Sequence, residues 1–224
     1  MGRQARGEFM DPSEVQVFHC VQRCVRRAFL CGNDPYSGVC YEHRRHWIRN
    51  RLEFLASVFG IDCLTYTVLS NHLHLVLRSR PDVVQSWDDQ EIARRWLLLF
   101  PQRHGKDGAP DEPRQSELDL IVNDAEKLAE RRRRLSDLSW WMRCTAENIA
   151  RQSNREENVT GHFWEGRYRA QRLLDEASVR GRARRLLAAI VTQLAKRKMT
   201  QVLLKCHLMA CRDKKRHRQS LTVP

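Results

Sequence analysis

Two histidines one residue apart, in Ser70-Asn71-His72-Leu73-His74-Leu75-Val76-Leu77, are the residues of this chain best suited to chemistry. The surrounding run reads as a buried strand, and side chains alternate across a strand, so His72 and His74 share one face while Leu73, Leu75 and Leu77 share the other. Two imidazoles at that spacing make half of a metal site. On a protein with a net charge of +13, a divalent metal points to chemistry on phosphate. Taken alone, an H-x-H on a strand is more often a pair of hydrogen-bonded or surface histidines than a metal site.

Elements that can position the pair are legible on either side. Residues Val15 to Val25 alternate apolar and polar in the manner of a half-buried first strand, and Gly32 to Gly38 is dense in turn formers. From Glu42 to Phe59 the apolar residues Trp47, Ile48, Leu52, Leu55, Ala56 and Phe59 recur at helical spacing, which predicts an amphipathic helix ending at Gly60. Ile61 to Leu69 and His72 to Leu77 predict two strands hinged at Ser70-Asn71, a hairpin. Past Pro81 the pattern turns helical, with one helix over Trp87 to Phe100 and a longer one over Gln115 to Gln152 broken near Ser136. Arg103 to Pro113 reads as a linker. Arg169 to Leu174 is a last strand, and Asp175-Glu176 opens a helix running to about Lys198. This order predicts an α+β fold, a ferredoxin-like antiparallel sheet with helices on one face and a helical insertion at about residues 85–155, within a domain of residues 10–198.

Composition bounds the function classes. No stretch of the 224 residues approaches the roughly 20 apolar positions that span a bilayer, so no membrane partner is expected. The first residues lack the apolar run of a secretory signal, which predicts a cytoplasmic location. The eight cysteines include no C-x-x-C pair and read as reduced, mostly buried small hydrophobes. The charge is uneven: residues 178–224 hold thirteen Lys or Arg and one acid, Asp213, which leaves 27 basic and 26 acidic residues in the preceding 177. Residues 199–224 read as a disordered basic tail, and a polyanion is the expected partner of so basic a C-terminal stretch.

With these elements in place the chain resembles a single-tyrosine HUH transposase of the REP-associated type. The resemblance rests on Val15-Gln16-Val17-Phe18-His19-Cys20-Val21-Gln22-Arg23-Cys24, on Ser70-Asn71-His72-Leu73-His74 where the family has N-H-x-H, and on Gly161-His162-Phe163-Trp164-Glu165-Gly166-Arg167-Tyr168 where it has an aromatic F-W-x-x-R segment, and it spans roughly Val15 to Ala177. It implies DNA transposition: a metal-dependent enzyme that cuts and rejoins single-stranded or hairpin DNA through a covalent tyrosine link to a 5′ phosphate. It implies manganese or magnesium on His72 and His74, and a homodimer is one assembly it allows. In the family the tyrosine lies on the final helix, with a ligand Asn or Gln four residues later. By helix length those positions fall on Ala189 and Gln193, so Gln193 becomes a third ligand and the nucleophile is missing. Tyr168 is the nearest tyrosine, in the aromatic segment before that helix. Two origins stay open for the altered C-terminus: a shifted reading frame, or a DNA-binding tail on a catalytically retired protein.

Other residues carry two readings each. Arg23, Arg26, Arg27, Arg44, Arg45, Arg167 and Arg169 read singly as solvated side chains and together as contacts to DNA phosphates. Phe163 and Trp164 fit base stacking or burial against the sheet, while Trp140 and Trp141 read as packing of the insertion, and Arg131 to Arg134 as a solvated face. His19, Cys20 and Cys24 fit core packing better than a zinc cluster, because Cys20 and Cys24 lie four residues apart on a strand.

Overall fold

A computed structural model describes residues 10–25, 28–105, 110–175, 177–182 and 184–185. Four strands form one antiparallel sheet: β1 (Val17–Arg23), β2 (Ile61–Val68), β3 (His72–Ser79) and β4 (Arg169–Leu173), in spatial order β2-β3-β1-β4. That order, with β1 and β3 in the centre, is the ferredoxin-like arrangement expected from the sequence. The β2–β3 turn is tight: the Leu69 amide donates to the His72 carbonyl at 2.8 Å, with Ser70 and Asn71 between them. The carbonyls of those two turn residues in turn accept from Leu30 and Cys24, which ties the loop after β1 to the hairpin tip.

Alternation divides the sheet cleanly. On one face Phe18 and Cys20 of β1 and Leu73, Leu75 and Leu77 of β3 are buried in the main core. Helix α1 (Arg44–Val58) lays Ile48, Leu52 and Leu55 against this face, and α6 (Leu138–Glu157) adds Trp141, Met142 and Ile149. Between β3 and α6 come α2 (Pro81–Gln85), α3 (Asp89–Leu99), α4 (Gln115–Val122) and α5 (Ala125–Leu135). The chain after β4 passes to the opposite face: residues 177–182 are helical, and Val179 packs with Val17, Val76 and Leu173. Among the described residues no helix is long and apolar enough to cross a membrane.

Three boundaries differ from the sequence expectation, each for a local reason. The long helix breaks near Ser136 as expected, where Asp137 caps α6 by accepting from the Ser139 amide, and a second time after Val122, where Asp124 caps α5 by accepting from the Lys127 amide. Helix α2 is an addition to the expected elements; Pro81 starts it at a position where a missing N–H costs nothing. The third concerns Gly60, which lies beyond α1 without a left-handed cap, since the cap residue Phe59 is extended. A Cβ on Gly60 would lie 2.2 Å from Val84 Cγ2 and 3.1 Å from the Arg80 carbonyl, so the position needs glycine for close approach of α2.

Arg131 to Arg134 are not a uniformly solvated face. Arg131 lies over the Trp96 ring, Arg134 over that of Trp140, and Arg132 donates to the Val84 and Trp87 carbonyls, so three of the four clamp the insertion helices together.

Candidate nucleic-acid interface on the open sheet face

The register brings a third histidine to the pair. Across β1 and β3 the Cα partners are His19 with Val76, Val21 with His74 and Arg23 with His72, so His19, His72 and His74 occupy one face. His19 Nε2 lies 3.2 Å from His74 Nδ1, and the His72 and His74 ring centroids are 5.9 Å apart. His19 is thus not core packing with Cys20 and Cys24. Those two cysteines are buried on the helical face, and strand alternation turns His19 the other way.

Each imidazole is held. His72 Nδ1 is 2.8 Å from Asn71 Oδ1; the amide oxygen accepts, so the proton is on Nδ1 and Nε2 keeps its lone pair. Burial lowers the pKa of all three rings. It brings His19 to about 4, aided by the charge of Arg182, and His74 to about 4, aided by His72. His72 is lowered by burial and by Arg23, against an opposing effect of Glu165. All three are therefore neutral at pH 7, the form that can ligate a metal.

Cations ring the histidines. Arg23 on β1 is more than half exposed and lies 3.3 Å from Glu165. Arg169, exposed on β4, is the Cα partner of Val21 on the histidine face. Arg182 donates to Gln171 Oε1 at 2.7 Å, and Gln171 is the Cα partner of His19. Arg182 carries no signal in the sequence that would single it out, because only the return of the chain over this face after β4 brings it there. Thr67, the Cα partner of His74 on β2, buries a hydroxyl oxygen that has no hydrogen-bond partner among the described residues.

Other candidates fall elsewhere. Arg44 is fully buried: Nε donates to Glu156 at 2.8 Å, Nη2 to Glu157 at 2.6 Å and Nη1 to the Phe29 carbonyl at 2.6 Å, with the Tyr41 ring against it. A guanidinium so enclosed cannot meet DNA, and the expectation that it grips phosphate is corrected. Arg45 is half-buried and bonded to Glu42 and the Val68 carbonyl. Arg26, Arg27, Ala189 and Gln193 lie outside the described residues.

Tyr168 and Arg167 line a groove of about 730 Å³ with Gln22, Trp140, Arg143 and His162. Gln22 alternates to the helical side of β1, so this groove is on the opposite side of the sheet from the histidines. Tyr168 is 6% exposed, and its hydroxyl is 3.0 Å from Ser139 Oγ on α6. It is a packed residue, not a substitute nucleophile facing His72 and His74. Phe163 is buried and the Trp164 indole donates to the Ala146 carbonyl, which places both in packing. The remaining tyrosines serve elsewhere too: Tyr66 alternates to the helical side opposite Leu75, Tyr41 stacks on Phe29, and Tyr36 is exposed in the turn after β1.

No family model and no curated protein matches the chain. Among solved structures it is similar to one described as "a putative transposase" from Deinococcus radiodurans R1, at 11% identity and a TM-score of 0.36, over 84% of this chain and 97% of that one. A likeness at that level carries no argument about function, which has to come from the residues themselves.

Proposed function

We propose that this protein is a transposase-like protein that engages single-stranded DNA on the open face of its sheet, with His72 and His74 holding a divalent metal against a backbone phosphate. The observation that carries this reading is a pair of neutral, oriented imidazoles on one strand, ringed by Arg23, Arg169 and Arg182. Neutral histidines among arginines suit a phosphate, since the cations attract the anion and the imidazoles remain free to ligate.

The donor chemistry fits a weakly held ion. Among the described residues no group of three or more His, Cys, Asp or Glu is placed around one ion, so the protein offers two imidazoles, with the amide of Gln193 as a third donor by family pattern. Imidazole suits manganese better than magnesium, which prefers oxygen donors, and a phosphate oxygen would complete the set. A bound metal would neutralise charge on the phosphate and make phosphorus easier to attack. Asn71 fixes the His72 ring, and the arginines orient the backbone.

Strand cleavage would need a hydroxyl on the same face. The four tyrosines of the chain include none at a strand position that faces with His72 and His74, and Ala189 stands where the family pattern calls for tyrosine. This favours a second reading, a DNA-binding protein that keeps the transposase-like site without the phosphotyrosine step, and whose basic C-terminal region adds non-specific affinity.

Incubation with labelled hairpin DNA and manganese, followed by denaturing electrophoresis, separates the two. Binding without a denaturation-resistant adduct supports the second reading, and an adduct supports the first. Undetectable binding to single-stranded and hairpin DNA at low salt overturns both. For the metal, His72→Ala combined with His74→Ala should abolish manganese binding; unchanged binding refutes the assignment.

A further inference from the structure

His19 and His74 meet through nitrogen atoms 3.2 Å apart, with ring centroids at 5.4 Å and planes only 15° from parallel. That centroid separation is what two five-membered rings reach when the N···N line is extended by one ring radius at each end. The rings therefore lie end to end in nearly one plane, each nitrogen aimed at the other. This is the geometry of an N–H···N hydrogen bond. It is not that of two ligands on one ion, whose lone pairs must converge at an angle on a shared point between them. Such a bond holds one proton between its two nitrogens, and the owner of that proton decides which nitrogen of His74 is left for a ligand.

We propose that His19 is a positioning residue that accepts the Nδ1 proton of His74 and so leaves His74 Nε2 bare toward the metal and phosphate. The proposal rests on the metal reading of His72 and His74 given above. His72 is held in the same way, its Nδ1 proton taken by Asn71, so the two sheet histidines would present the same nitrogen with the same tautomer. An acceptor behind a ligating imidazole fixes ring orientation and raises the donor strength of the far nitrogen. His19 suits that role, being 8% exposed on the central strand next to that of His74, with its ring confined by burial.

The test uses the full chain, with nitrogen-15-labelled histidine. Long-range nitrogen–proton correlation spectra of the metal-free protein at neutral pH should show His74 protonated on Nδ1 and His19 bare on Nε2. A His74 carrying its proton on Nε2 overturns the proposal, whatever the metal does. Manganese affinity, read by electron paramagnetic resonance, should fall about tenfold to a hundredfold in His19→Leu, which removes the acceptor. In His19→Gln it should stay close to wild type, because the amide oxygen can still accept from His74. Equal losses in both variants, or a loss in neither, overturn the proposal; thermal unfolding of each variant verifies that it folds. If wild-type protein binds no manganese while the tautomers are as stated, the metal reading falls and the hydrogen bond stands.

Discussion

Replacing Arg44 distinguishes a structural cation from a DNA-binding one. Its guanidinium joins the start of α1 to the end of α6 through Glu156 and Glu157, and to the loop after β1 through the Phe29 carbonyl. Removing one partner of a buried ion pair costs about 3–5 kcal/mol, because the charge left behind is uncompensated. Here the two carboxylates are 32% and 25% exposed and can recover water, so the lower end applies, about 3 kcal/mol for Arg44→Ala. That is a large part of the total stability of about 5–15 kcal/mol expected of one domain. Arg44→Lys should recover only part of the loss, since an ammonium cannot reach three acceptors in the fork arrangement. Urea unfolding at pH 7 measures the change, and the salt dependence of DNA binding provides the contrast. A stability loss under about 1 kcal/mol together with a shallower salt slope would refute the buried role, because a lost phosphate contact lowers that slope by about one.

Three further outcomes are expected. The folded pKa of His19 and His74 lies near 4, against 6.5 for an unperturbed ring, so the folded state binds fewer protons between those values. Stability is then full above about pH 6.5 and falls as pH drops toward 4, by about 2 kcal/mol at pH 5 for one such histidine; urea midpoints of metal-free protein that do not move between pH 7 and pH 5 would contradict this. Gly60→Ala should destabilise by about 1–3 kcal/mol through the clash with Val84, which is buried and has little room to yield; a neutral result in thermal unfolding would show that α2 is free to shift. Tyr168→Phe should cost about 1 kcal/mol through loss of the Ser139 contact and leave any DNA adduct unchanged, and an adduct abolished by this substitution would restore Tyr168 as nucleophile.

The sheet was legible because its signals are local. Strand alternation, the Ser70-Asn71 turn and the apolar spacing of Ile48, Leu52 and Leu55 each state their own structure within a few residues. The cooperation of His19 with His74 was not, since it depends on which strand lies beside β3 and in what register, and 55 residues separate the two. Gly60 shows a different failure: glycine after a helix suggests a left-handed cap, whereas here the demand comes from α2, an element packed in from elsewhere. Arg44 could not be told from Arg45 or Arg49 by type. Its burial follows from where α6 ends, with Glu156 and Glu157 aimed at the start of α1.

The same burial that lowers the histidine pKa values also bears on how the site would be loaded. A metal and a proton compete for imidazole nitrogen, and a ring with a pKa near 4 is almost wholly unprotonated at pH 6. Proton competition at His74 therefore ends well below neutrality, and what opposes a divalent cation is the positive field of Arg23, Arg169 and Arg182. A nucleic-acid phosphate cancels that field and supplies oxygen donors in the same step. On this logic metal and DNA bind with positive cooperativity, each raising the affinity for the other by the same factor. Manganese titrations with and without a short single-stranded oligonucleotide measure that factor directly, and equal affinities in the two would sever the connection between the histidines and the arginines around them.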